Sequence, residues 1–330
     1  MSNSTGPKES TEGGQAWYKC DPPMVLGNDR KGEAPIYRAS DSTLHWVDCL
    51  AEPAELHILK VDPVTGDAQG RARVLKLEDS VTVAFFRRNR PGYICAYYQG
   101  VAFMDEETGK LEVVKEIIPT ADRDLFRFND GGVDAKGRFW LAEIDRKAFT
   151  YGANKLPADY GEPKGRLWRY DPDGSLHEME SGIICGNGLA WAPDNKTMYF
   201  NDSVAMKVFA YDFDLESGSI SNKRLFIDRR SSYGEPDGMV VDTKGNLWIA
   251  VFASYRVMVF SPSGEHLKDV VFSANNMACT TWGGKNHDII FVATGKDRSP
   301  HAKADDEGGH MFRYKPSPEF TGAPKFEFDG

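Results

Sequence analysis

Short apolar runs separated by polar turns recur along this chain, and three pairs of them follow one template. Asn129 to Trp140 reads NDGGVDAKGRFW, Asn187 to Phe200 reads NGLAWAPDNKTMYF, and Asp237 to Trp248 reads DGMVVDTKGNLW. Each opens on Asn or Asp, passes through glycine into an apolar run, breaks at a polar turn, and resumes with aromatic and β-branched residues. That order predicts a β-hairpin. The carboxamide or carboxylate at the head stands just before the first strand, so packing the hairpins around an axis would gather the heads into a site of oxygen ligands.

The same form, less regular elsewhere, predicts six copies between Glu33 and Tyr314. The first starts at Glu33 and turns at Ser40-Asp41-Ser42, and the second runs from Val81 and lacks an Asn or Asp head. The third, fourth and fifth contain the template, and the sixth runs from Met277 through Gly283-Gly284-Lys285-Asn286 to Tyr314. A repeat of roughly 43 to 59 residues marks four-stranded propeller blades. The expected fold is all-β, a six-bladed β-propeller with four-stranded antiparallel blades around a central channel. Residues 1–16 are expected to be a flexible tail and residues 17–330 a single domain. Ring closure needs an edge strand on the last blade, and both Met24 to Leu26 and Phe326 to Phe328 are candidates.

Bulk composition narrows the function classes. With 41% hydrophobic and 12% aromatic residues, the chain can bury a large core, and it has no apolar run long enough to span a bilayer. A net charge of −9 without a basic cluster excludes nucleic acid as a natural partner. Cys20, Cys49, Cys95, Cys185 and Cys279 are odd in number and without Cys-x-x-Cys spacing, so reduced core thiols are expected. The N-terminal residues hold no apolar core of a signal peptide. A cytoplasmic protein with a small-molecule substrate is the expectation, and the sequence sets no oligomeric state.

The candidate inner positions are Glu33, Asn129, Asn187 and Asp237, every one an oxygen ligand. Simple strand-entry caps would admit serine, threonine and glycine as well. Two carboxylates with amide oxygens, and no His or Cys among them, suit calcium or a similar hard divalent cation better than zinc or copper. A ring that merely binds another protein is the alternative, because propellers host unrelated functions.

The segments Arg127-Phe128-Asn129-Asp130-Gly131, Gly186 to Asp194, Glu235-Pro236-Asp237-Gly238-Met239 and Gly283-Gly284-Lys285-Asn286 resemble the motifs of the senescence marker protein (regucalcin), gluconolactonase and luciferin-regenerating enzyme family. The resemblance runs from about Glu33 to Tyr314. It implies a six-bladed propeller with a divalent cation in the channel, calcium first and zinc, manganese or magnesium as alternatives, and hydrolysis of sugar lactones. It implies further that Glu33, Asn187 and Asp237 are the metal ligands, that Asp237 is also the catalytic base, and that Arg127 and Asn129 contact substrate. Asn129 matches a metal ligand in the similar organophosphate-hydrolysing propellers. Two positions depart from the family pattern: Tyr37 replaces a usual tryptophan, and Ala142-Glu143 replaces a small-residue pair. Glu143 is therefore a candidate substrate contact on the channel wall.

The remaining motifs are quieter. The histidines are dispersed, with His301 and His310 near enough to the sixth blade to reach the channel mouth, and no Gly-x-Ser-x-Gly elbow marks a serine nucleophile. The insertion Arg146 to Lys164 is either an irregular loop or a lid over one face. Lactone hydrolysis leads the expected activities. Organophosphate hydrolysis, a non-hydrolytic rearrangement of a larger metabolite and non-catalytic calcium binding are the alternatives.

Overall fold

The computed structural model describes residues 15–18 and 32–330. Alternating apolar and polar positions in short runs fold as six four-stranded antiparallel sheets, each in meander order apart from the last. Their first strands are Gly32–Arg38, Val81–Phe86, Phe126–Val133, Gly186–Trp191, Glu235–Val241 and Asn276–Gly283. Each of these touches the first strands of the two neighbouring sheets, and the strand from Asn276 returns to the one from Gly32, so the ring closes. The protein is a six-bladed β-propeller whose inner strands line a central channel. Inner strands are buried on both faces because blades pack on either side, and they read as near-continuous apolar runs. Outer strands such as Arg73–Lys76 and Ser219–Asp228 are largely exposed and polar.

Closure does not use Phe326 to Phe328. The sixth blade is completed by Gln15–Tyr18, which pairs antiparallel with Met311–Tyr314. Met24 to Leu26 lie outside the described residues. Phe328 instead crosses the ring end opposite the strand starts: it forms a parallel bridge with Arg87, and its carbonyl accepts from the Arg88 amide at 2.6 Å. The segment leading to it is tied to blade 5 through the Thr243 amide and the Thr321 carbonyl at 2.8 Å, and to blade 3 through the Asp329 amide and the Gly137 carbonyl at 3.1 Å. Residues 321–329 are thus a strap across one mouth of the channel.

Between blades the core is aromatic, with Trp140, Trp248 and Trp282 almost fully buried. The template explains how two of these are held. Asp134 accepts from the Trp140 indole at 2.9 Å, and Asp242 accepts from the Trp248 indole at 3.1 Å. Asp242 also accepts from the amides of Lys244 and Asn246 and from the Asn246 side chain. The turn aspartate therefore does more than shape a turn: it is buried, charged and bonded to four donors. Removing its charge weakens hydrogen bonds that to a charged acceptor are worth about 1.5–3 kcal/mol each. Asp242→Asn is expected to melt a few degrees below wild type, with turnover per folded molecule unchanged; equal melting curves would show that the clamp is not stabilising.

Cys95, Cys185 and Cys279 are buried and Cys49 is half-buried. Cys20 lies outside the described residues. No helix among the described residues is long and apolar enough to cross a membrane.

Candidate active site at the bulged strand starts

All six inner strands lose register with their neighbour at the same level. The irregularities fall between Glu33 and Ile36, Val81 and Val83, Phe128 and Gly131, Gly186 and Leu189, Pro236 and Met239, and Met277 and Cys279. An inserted residue bends the strand and re-aims a side chain, which is why bulges gather next to active sites. Here they fall on the sequence-predicted heads: Glu33, Asn129, Asn187 and Asp237 each stand on a bulge. Ala34, next to Glu33, has a φ of 47°, the left-handed conformation that turns this bulge.

The glycine that follows two of these heads has a steric purpose. A Cβ on Gly188 would lie 2.6 Å from the Asp237 carbonyl oxygen and 2.8 Å from the Met239 nitrogen, and a Cβ on Gly238 would lie 2.4 Å from the Cys279 sulfur. Inner strands of adjacent blades approach so closely here that only glycine fits. That contact places Asn187 beside Asp237.

Hydrogen bonds fix the heads further. The Asn129 Nδ2 donates to the Gly186 carbonyl at 2.9 Å, leaving its Oδ1 for another partner and joining blade 3 to the strand that carries Asn187. Asn201, fully buried on the second strand of blade 4, donates through Nδ2 to the Asp237 carbonyl at 2.5 Å, and the Ser203 hydroxyl donates to the Pro236 carbonyl at 2.5 Å. Asp202 accepts from the Ile184 and Cys185 amides and so sets the turn entering Gly186. Burial pushes its carboxyl above the usual range, while these amide bonds and that of Ala205 oppose the rise.

The electrostatics converge on Cys279. Burial drives its thiol far above the usual range, the Lys325 ammonium opposes the rise, and the carboxylates of Asp130, Glu33 and Asp237 add to it. The thiol is no nucleophile at neutral pH. Those contributions also show that the acids from blades 1, 3 and 5 share one neighbourhood. Glu33, Asn187 and Asp237 are at least nine-tenths buried. Lys325, reaching in from the strap, donates to the Pro35 carbonyl at 3.1 Å and supplies one positive charge against three carboxylates. Such a set of buried oxygens with net negative charge fits a hard divalent cation, which would offset the repulsion between the acids. Glu33, Asn187 and Asp237 would hold it, with Asn129 Oδ1 adjacent.

Arg127 is half-buried at the channel rim, donating to the Ser80 hydroxyl at 3.2 Å with its guanidinium 5.5 Å from the Tyr98 ring centre. Glu143 is not brought to the channel. Its fully buried carboxylate accepts from Arg166 Nε and Nη2 at 3.0 Å, from the Arg166 amide at 3.1 Å and from the Trp168 indole at 2.9 Å. These partners all lie on the third strand of its own blade, so the carboxylate ties two strands together and has no capacity left for substrate.

The segment from Arg146 to Lys164 sits at the same end of the ring as the heads. It opens with the one-turn helix Arg146–Phe149, capped by Asp145, and is pinned to blade 4 by the Asn154 amide bonding the Val204 carbonyl at 2.8 Å. Leu156 and Tyr160 pack on Ile184, Cys185 and Val204. It is therefore a fixed rim over blades 3 and 4. Beyond the bulges, toward the strap, lies a mostly apolar cavity of about 310 Å³ lined in part by Asp130, Trp191, Met239, Trp282 and Lys325. Sequence reasoning missed Asp130 and Lys325 as channel residues. Asp130 had a signal, being adjacent to Asn129 on a strand that bulges; Lys325 had none, because it follows the last repeat.

The fold is that of a six-bladed propeller with acids and amides on the bulged starts of its inner strands, and the comparisons with known proteins give its family. The chain belongs to the SMP-30/Gluconolactonase/LRE-like family, whose model matches residues 31–296. It is 30% identical to regucalcin of Homo sapiens over 273 residues, covering 82% of this chain and 85% of that protein. It is 28% identical over 269 residues to the Bacillus subtilis protein YvrE, which carries a provisional name as a sugar lactone lactonase, covering 81% and 84% of the two chains. The solved structure of a luciferin-regenerating enzyme superposes with a TM-score of 0.78 at 26% identity, over 92% of this chain and 97% of that one.

Proposed function

We propose that the chain is a divalent-metal-dependent hydrolase that opens a lactone in the propeller channel. Family membership and the lactonase relative support lactonase-type chemistry. The observation that carries the reading is the placement of Glu33, Asn129, Asn187 and Asp237 on bulges at one level of the channel. Glu33, Asn187 and Asp237 would hold a cation, calcium in the first instance, which when bound would supply Lewis-acid polarisation of a lactone carbonyl. Asp237 takes a proton from the attacking water as general base. Asn201 and Ser203 hold the backbone of Pro236 and Asp237 so that this carboxylate keeps its direction. Arg127 and Asn129 orient the hydroxyls of the substrate and stabilise charge that develops on ring opening. The fixed rim of residues 146–164 bounds the entrance.

A panel of sugar lactones, simple lactones and phosphotriesters assayed on metal-replete protein tests the proposal. Lactone turnover above the blank is expected; turnover of phosphotriesters alone would move the reading to organophosphate hydrolysis, and turnover of neither would leave cation binding as the function. Stripping the metal with a chelator is expected to lower the melting temperature as well, since a ligand held only by the folded state contributes about 2.7 kcal/mol at a concentration one hundred times its Kd. An unchanged melting curve would argue against a tight site.

A further inference from the structure

A second cavity, of about 620 Å³, opens at the end of the ring where the inner strands begin. It lies between blades 5, 6 and 1. Its walls include Asn276, the first residue of the blade 6 inner strand, and Phe252, whose register partner is Glu235 at the start of the blade 5 inner strand. It therefore adjoins the level of Asp237 from the entrance side, and its volume is that of a site for a small metabolite. One wall is the 295–310 connection of blade 6, which brings Lys296, Arg298, His301 and Lys303 to the cavity.

Of the charged side chains that line the cavity, Lys296, Arg298 and Lys303 outnumber Asp297, while Asp305, Asp306 and Glu307 follow on the same connection outside the lining. The chain carries a net charge of −9, yet the exposed Lys296 and Lys303 have no ion-pair partner among the described residues. Lys303 is not loose, because its ammonium lies 4.2 Å from the centre of the Tyr255 ring, a cation–π contact that orders it over the cavity. The acid that lines the cavity, Asp297, accepts from Asn275 Nδ2 at 2.8 Å and from the Ser299 amide at 2.8 Å, and beyond the lining Asp306 accepts from the Asn275 amide at 2.7 Å and Glu307 from the Ser273 hydroxyl at 2.6 Å. Tyr233, 71% exposed, and Tyr255 present aromatic surface beside these cations. Ammonium groups without an ion-pair partner at the mouth of a concave site attract anions there.

We propose that this cavity is the subsite for an anionic substituent, so that the substrate is a lactone carrying a carboxylate or a phosphate at the end remote from the scissile ester. The inference rests on the lactonase reading for the reaction, and on Lys296 and Lys303 for the charge. The ester then faces Asp237 while the oxyanion sits under the two ammonium groups, with Tyr255 against the intervening carbon skeleton.

The test compares glucono-δ-lactone with its 6-phosphate and with the lactone of glucaric acid at low ionic strength. Wild type and the Lys296→Gln/Lys303→Gln double variant are both assayed as metal-loaded full-length protein. The ratio of kcat/KM for an anionic lactone over the neutral one is expected to be about ten or more in wild type, and to fall to about one or two in the double variant and at high salt. Whichever anion shows the larger ratio identifies the substituent. Calorimetric Kd values for gluconate, 6-phosphogluconate and glucarate provide a readout independent of turnover. Absence of turnover with all three lactones, alongside anion-selective binding that the double variant loses, would end the lactonase reading and leave the subsite standing. A wild-type preference near one in turnover and binding, or a preference the double variant retains, would overturn the proposal.

Discussion

Asp237→Asn is expected to fold as a propeller and to lose lactone turnover by at least about 10² to 10⁴, the range for removing a general base. The replacement keeps the shape of the side chain and one oxygen ligand while discarding the negative charge and the proton acceptor. Nothing in the backbone support changes, since Asn201 and Ser203 bond to main-chain carbonyls of residues 237 and 236 and not to the carboxylate. Weaker cation binding would add to the loss, so metal content is measured beside turnover. The circular dichroism of the metal-free variant is expected to match that of metal-free wild type. If Asp237→Asn retains more than about a tenth of wild-type turnover with metal bound, a loss below about 1.4 kcal/mol, Asp237 is not the base.

The largest stability effect is expected at the other end of the channel. Phe328 is 1% exposed, stacked on Tyr170 with ring centres 6.0 Å apart and tilted against Phe103 at 6.1 Å. It belongs to the largest core cluster, which joins blades 1, 2 and 3. Truncating such a ring costs about 3–5 kcal/mol through lost burial and the cavity left behind. Phe328→Ala should therefore melt roughly 10 °C or so below wild type, at about 2–4 °C for each kcal/mol. Phe326 on the same strap is 40% exposed, and Phe326→Ala is expected to cost under about 1 kcal/mol. Equal effects of the two substitutions would mean that the strap is not anchored through Phe328.

Much of this architecture was legible because its signals are local. Asn or Asp, then glycine, an apolar run and a polar turn specify a hairpin wherever they occur, and six copies with that period leave few alternatives to a propeller. The same locality made Glu33, Asn129, Asn187 and Asp237 readable as equivalent positions. What escaped was decided by distant partners. Gln15–Tyr18 closes the ring through pairing with Met311–Tyr314, nearly the whole chain away, and nothing in four residues announces it. Glu143 resembled a channel acid in position, but its carboxylate is taken by Arg166 and Trp168 across the sheet. Asp242 was readable as a turn former, whereas its bond to the Trp248 indole follows from the fold of the hairpin. Gly188 and Gly238 were legible as the glycine that follows each head, but not as points where neighbouring blades nearly touch.

The proposal stands on Glu33, Asn187 and Asp237 forming a metal-dependent lactone-opening site on the bulged strands. Acid release during the opening of a sugar lactone, followed at constant pH on protein as purified with calcium, after chelation and after the cation is restored, tests it most directly. Release well above the blank is expected for the loaded protein, with a fall to the blank on chelation and recovery on restoring the cation. Release at the blank rate with the cation bound, or release that chelation leaves unchanged, would contradict it.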